Sequence, residues 1–144
     1  MKHLNKKSSA VLQKLIDCMS DPAYAKTMGS FAKIEKADSC FMPVSIEKLH
    51  HIPTFENHIA VSHTYVENGD LMRDPEMEFV SKEGKFHPIS FRQDNMGIHQ
   101  EVFEYSDVDG RPVKYNPSLL NDLVEFANMW MLNINEQQEL GVEV

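Results

Sequence analysis

The chain has 144 residues, of which 42% are hydrophobic and 25% charged, and its formal net charge is −8. A chain of this length buries roughly 70% of its unfolded surface, so its core can hold it together without a metal or a disulfide. The negative charge argues against broad contact with nucleic-acid phosphates or with an anionic membrane surface, because both select clustered Lys and Arg.

In chain order, Ser8 or Ser9 is placed to cap a helix that starts at Ala10. Val11, Leu12, Leu15, Ile16 and Met19 then share one helical face, and Asp21-Pro22 ends it. Gln13, Lys14 and Asp17 interrupt the apolar patch, so it does not form a signal-peptide core. No run reaches the roughly 20 apolar residues of a membrane span, and the expected location is the cytoplasm. Neither Cys18 nor Cys40 belongs to a CxxC pair, and nothing argues for a disulfide between them.

Residues 23–29 are expected to add a short helical turn ending at Gly29. Residues 30–35 read as a first short strand and a potential edge for sheet extension. Residues 41–48 read as a second, with Met42, Val44 and Ile46 on one face. Residues 58–66 are β-branched and aromatic, as a central strand is. Asn68-Gly69-Asp70 is a hairpin-turn signal. Strands are expected at 76–81, 86–92 and 98–105, separated by turns at 82–85 and 94–97, with a polar turn at 107–110. Asn116-Pro117-Ser118 opens a final helix. Its stripe of Leu120, Leu123, Ala127, Trp130 and Ile134 is broad enough to cover a sheet. Val44, Ile46, Val61, Ile89, Phe91 and Phe103 are expected to form the opposite wall. The predicted fold class is α+β, one domain over residues 1–144. A mostly antiparallel sheet of about five to six strands carries an N-terminal helix and a long C-terminal amphipathic helix packed on it, with 1–7 and 139–144 frayed.

No complete catalytic or cofactor motif is present, so no cofactor is expected. Glu67, Asp70, Asp74, Glu76 and Glu78 form an acidic stretch, but its spacing does not match a calcium loop. Asp70 and Asp74 fall at turn and pre-proline positions, where Asp bonds to local backbone. Asp70 or Asp74 with Glu83-Gly84-Lys85 has the letters of a metal-dependent nuclease, yet Gly84 puts the Glu-x-Lys unit in a turn. No two of the seven histidines have the close spacing of a zinc site. Phe79, Phe86, Phe91, Phe103 and Tyr105 are a candidate stacking platform for single-stranded nucleic acid, but few basic residues flank them.

Residues 67–79, ENGDLMRDPEMEF, residues 88–95, PISFRQDN, and residues 122–130, DLVEFANMW, together resemble an uncharacterised family of small bacterial domains of unknown function. The resemblance covers residues 28–138. It implies a setting on plasmids and integrative elements, alone or beside DNA-processing domains, and it supplies no catalytic residues.

The expected function is therefore a non-enzymatic accessory module that acts by protein–protein contact. Its partner would be a host or element-encoded protein, and one form of the reading is anti-defence. Asn68, Asp70, Asp74, Glu76, Gln93, Asp94 and Asn95 are the candidate binding residues. They matter for binding rather than folding if two polar turns meet at one end of the sheet. A metal-assisted hydrolase using Asp70, Asp74 and Glu76, with His63 or His99, is the alternative. A single-strand binder using the aromatics is another.

Overall fold

The computed structural model describes residues 1–143. Helix α1 is Lys6–Cys18 and helix α2 is Pro117–Gln137. Between them run β1 (Ala25–Thr27), β2 (Phe31–Ile34), β3 (Val44–Lys48), β4 (Asn57–Glu67), β5 (Asp70–Lys82), β6 (Lys85–Gln93), β7 (Ile98–Glu101), β8 (Phe103–Tyr105) and β9 (Pro112–Tyr115). Strands β1 to β7 pair in sequence order as one antiparallel meander, and β8 and β9 form a separate two-stranded sheet. The expected α+β architecture holds, with more strands than the five or six expected.

Alternation sorts the two faces of the meander. Ala32, Ile46, Val61, Met77 and Phe91 pair in one row straight across β2 to β6. The next row is Lys33, Ser45, Ser62, Glu76 and Arg92. The apolar row faces the helices. Phe91 meets Phe126 edge-on with ring centroids 5.3 Å apart, and His63 meets Trp130 at 5.5 Å. Trp130, Leu123, Ala127 and Ile134 are buried in the same core as Val44, Ile46, Val61 and Ile89. Phe103 departs from the expected wall and stacks on Phe55 at 5.6 Å.

Both interior prolines of the sheet sit at bulges, where a missing N–H does least harm. Ser62 pairs with Glu76 and Thr64 with Arg73, so Asp74 and Pro75 together oppose His63. Glu78 pairs with Ser90 and Phe79 with Pro88, which leaves Ile89 as the extra residue.

Several boundaries differ from expectation. Asn5, not Ser8 or Ser9, caps α1 and accepts from the Ser8 N–H. Ser8 is instead buried and donates to the Asn128 carbonyl of α2 at 2.9 Å. Residues 4–7, expected to be frayed, are docked: Leu4 is buried and its N–H donates to the Phe86 carbonyl at 2.9 Å. Residues 139–143 fold back on α2, because the Asn135 side chain both donates to the Val142 carbonyl and accepts its N–H. Val144 lies outside the described residues. The expected helical turn at 23–29 contains strand β1, which pairs with β2 and removes the edge expected at 30–35. The expected strand 98–105 breaks at buried Val102, whose N–H donates to Ile89 while Phe103 leaves to pair in the second sheet. Cys18 and Cys40 are free thiols, the first buried and the second exposed.

Candidate functional site

The β4–β5 hairpin turns on Asn68 and Gly69 between paired Glu67 and Asp70. Both turn residues have positive φ, 51° and 83°, as a two-residue type I′ turn requires. Beyond the Val44–His63 and Glu76–Arg92 pairs, the two strands pair only with each other. They project past their neighbours as a ribbon. Val66 and Leu71 are paired across it, 69% and 57% exposed. Met96, 65% exposed, lies in the short helical turn Asp94–Met96 that packs against β5.

The candidate residues divide between two places. Asn68 and Asp70 occupy the exposed tip. Asp74 with Gln93, and Glu76 with Asp94 through Arg73, form two separate polar groupings at the ribbon's base, with Asn95 exposed beside them. Asp74 accepts from Gln93 Nε2 at 2.6 Å. Asp94 accepts from the Arg73 backbone N–H at 2.9 Å and from Arg92 Nε at 2.7 Å, while Arg73 Nε pairs with Glu76 at 2.9 Å. Asp70 and Asp74 are thus strand residues of β5 rather than turn residues, since the sheet pairing of β4 carries β5 through the whole run from Asp70 to Lys82.

The electrostatics follow from these partners. The hydrogen bond from Arg92, with that from the Arg73 backbone, holds the Asp94 carboxyl below its ordinary range. Burial pushes Glu76 up, against the pull of Arg73. Arg73 and Arg92 therefore add positive charge to the base of the ribbon, where an acidic, amide-rich patch was expected. Of the carboxylates named for metal chemistry, Asp74 is bonded to Gln93 and Glu76 is paired with Arg73, Asp70 stands apart at the tip, and His63 is buried against Trp130 on the helix side. Among the described residues, no group of three or more His, Cys, Asp or Glu is arranged to hold a metal.

Of the five aromatics proposed for stacking, Phe79, Phe86 and Phe103 are buried and Phe91 is packed on α2. They are core residues and do not form an exposed platform. Glu83 and Gly84 make the second type I′ turn, with φ of 52° and 76°, so Glu83-Gly84-Lys85 rounds a corner.

The open face of the sheet carries a second arrangement that the sequence reading missed. Phe31, Lys33, Glu47, Leu71, Arg73 and Glu76 line a groove of about 570 Å³ running up to the ribbon. Further along, His58 is buried, with Nε2 2.5 Å from Glu78 Oε1 and Nδ1 2.9 Å from the His50 carbonyl oxygen. A carbonyl can only accept, so Nδ1 donates. Glu78 Oε2 accepts from Ser90 Oγ at 3.1 Å. The hydrogen bond from His58 holds the Glu78 carboxyl below its ordinary value of 4.5. The available signal was β periodicity: His58 and Glu78 lie on the same face of adjacent strands once the hairpin register is known.

The site so defined is a polar sheet face ending in an exposed ribbon, on a fold closed by helices on its other side. The chain belongs to the DUF6908 family, a domain of unknown function, which matches residues 12–140. No curated protein and no solved structure matches it. Among the described residues, no helix is long and apolar enough to cross a membrane.

Proposed function

We propose that this protein is a non-enzymatic binding module that contacts a protein partner through the β4–β5 ribbon and the open sheet face below it. One observation carries the reading: Val66 and Leu71, two apolar side chains, are paired and exposed on a ribbon that no other strand covers. Apolar area left in water at a projecting tip is recovered when a partner covers it. Asn68, Asp70 and Asn95 supply a polar rim, and Arg73 and Arg92 supply charges of both signs with Asp74, Glu76 and Asp94. Such a mixed rim suits register and selectivity more than raw affinity. The anti-defence version, an acidic mimic of nucleic acid, receives less support because the two arginines lie inside the patch. The metal-assisted hydrolase is also less supported, since Asp74 and Glu76 already have partners and Asp70 lies apart from them at the tip.

A setting on bacterial plasmids and integrative elements belongs to the same reading and rests on the resemblance of residues 67–79, 88–95 and 122–130. A cytoplasmic location rests on the interrupted apolar patch of residues 10–19 and on no run reaching the length of a membrane span. The partner is then a host or element-encoded protein. The test places a photo-crosslinking side chain at Leu71 and, as a control, at exposed Met129 of α2. A discrete adduct from the Leu71 position, lost in a Val66→Lys variant that melts like the parent, supports the reading. Equal labelling from both positions, or an adduct indifferent to Val66→Lys, overturns it.

A further inference from the structure

A separate pocket opens where β5 turns into β6, at the end of the sheet away from the ribbon. It has a volume of about 480 Å³, within the range of small-molecule sites. Its apolar wall includes the stacked Phe55–Phe103 pair, and Tyr115 stands exposed at its mouth. Lys82 and Lys85, at the ends of β5 and β6, border the opening together, and Lys114 of β9 also lines it.

That grouping is unexpected in a chain of net charge −8. Of the lysines, only Lys36 and Lys114 are ion-paired among the described residues, and the Lys114–Glu104 contact is exposed and 3.9 Å long. Lys82 and Lys85 therefore face the pocket with only Glu83 as a lining carboxylate. Thr54, in the same lining, has φ of 80°, in the left-handed region that a β-branched residue rarely adopts. Strain of this kind persists where the surroundings impose it and clusters at binding sites. His87, also in the lining, is pushed down by burial, and Lys85 and His3 add to the effect. It is thus a neutral wall rather than a further cation near neutral pH.

We infer that this pocket binds a planar, ring-bearing anion of mononucleotide size, with the ring against exposed Tyr115 over the buried floor of Phe55 and Phe103 and the anionic group held by Lys82 and Lys85. Stacking supplies affinity for any flat ring, while the lysines act as point charges on a phosphate or carboxylate. A single ligand fits better than a continuous strand, because the lysines border one opening and form no stripe along the sheet. This inference stands on different residues from the ribbon and does not depend on it.

The test titrates the full chain, isotopically labelled for NMR, at low salt with three probes: adenosine 5′-monophosphate, adenosine and inorganic phosphate. The expected result is saturable shifts of the amides of Thr54, Phe55, residues 82–85 and residues 113–115 with the nucleotide. The two fragments should bind at least tenfold more weakly. A Lys82→Glu, Lys85→Glu double variant, folded by its own spectrum, should lose at least tenfold in affinity, and Tyr115→Ala should lose severalfold. The inference is overturned if millimolar nucleotide leaves those amides unmoved, if phosphate alone binds as tightly, or if the double variant binds like the parent. It is also overturned if short single strands bind with affinity that climbs with length, which would make the surface a strand-binding one.

Discussion

Glu78 shows how one side chain acquires a role from its neighbours. It reads in sequence as one of five acids in a solvated stretch, yet its two oxygens take hydrogen bonds from His58 and Ser90. A hydrogen bond to a charged group contributes about 1.5–3 kcal/mol, so Glu78→Gln should cost about that much in a denaturant titration. Its folded value lies below 4.5, so its contribution is full above that pH and is lost as pH falls through the folded value. The acids at the candidate site separate by the same logic. Asp70→Ala, at the exposed tip, should change stability by less than ~0.5 kcal/mol. Asp74→Ala removes the acceptor for Gln93 and should cost about 1 kcal/mol. A pair of thermal melts that ranks them the other way would remove the division of the site into tip and base. The sequence reading expected both residues to be dispensable for folding, and the bond to Gln93 changes that for Asp74.

The elements behave as their patterns dictate where the pattern is long. Helix α2 has an apolar stripe over 21 residues, and it covers the sheet through Phe126, Trp130 and their neighbours. Truncating a buried Trp costs about 3–5 kcal/mol from lost transfer energy and the cavity left behind. Total stability of a domain is only about 5–15 kcal/mol. Trp130→Ala should therefore lower the melting temperature sharply or leave the protein insoluble, while Trp130→Phe should fall between it and the parent. A parent-like melt for Trp130→Ala would mean that α2 does not close the sheet. The β4–β5 ribbon depends on its turn in a different way. Gly69 at φ 83° has open space where a Cβ would go, so the cost of Gly69→Val is backbone strain rather than a clash. That variant should lose about 1 kcal/mol or more and weaken the crosslink from Leu71.

The fold as a whole is sensitive to acid through buried histidines. His63 sits against Trp130 and His87 beside the N-terminal segment, and burial lowers both. With folded values below 6.5, the unfolded chain takes up protons first. Stability is fully present above pH 6.5 and is lost as pH falls from there through the folded values. Glu76 works in the opposite sense, since burial raises it above 4.5 and its protonation nearer that pH favours the folded state. The net expectation is a lower denaturation midpoint at pH 5.5 than at pH 7.5, with the difference reduced in a His63→Gln, His87→Gln variant. Equal midpoints at the two pH values in the parent would show that the two histidines are not held neutral by burial.

Much of this was legible in the residues alone. The helix stripe, the central strand and the Asn68-Gly69 turn are local signals, because periodicity and positive-φ chemistry act over a few neighbouring residues. They determined the α+β class, the meander's hairpins and the placement of Asn68 and Asp70 at an exposed tip. What they could not supply was anything set by residues distant in the chain. The true length of β5 is held by pairing with β4, which overrides the strand-breaking signal of Asp74-Pro75 by absorbing it in a bulge. Leu4 and residues 139–143 look like loose ends until Phe86 and Asn135 supply their hydrogen bonds. Arg73 and Arg92 pair with Glu76 and Asp94, their near neighbours in sequence, but only the fold brings Asp94 onto β5, where it accepts the Arg73 backbone N–H at 2.9 Å. The pocket itself, bordered by Lys82 and Lys85 on one side and by Phe103 and Tyr115 on the other, exists only because the β5–β6 turn and β9 come to the same place. Hydrogen bonds and ion pairs act over a few ångströms of space, and only the folded chain sets those distances.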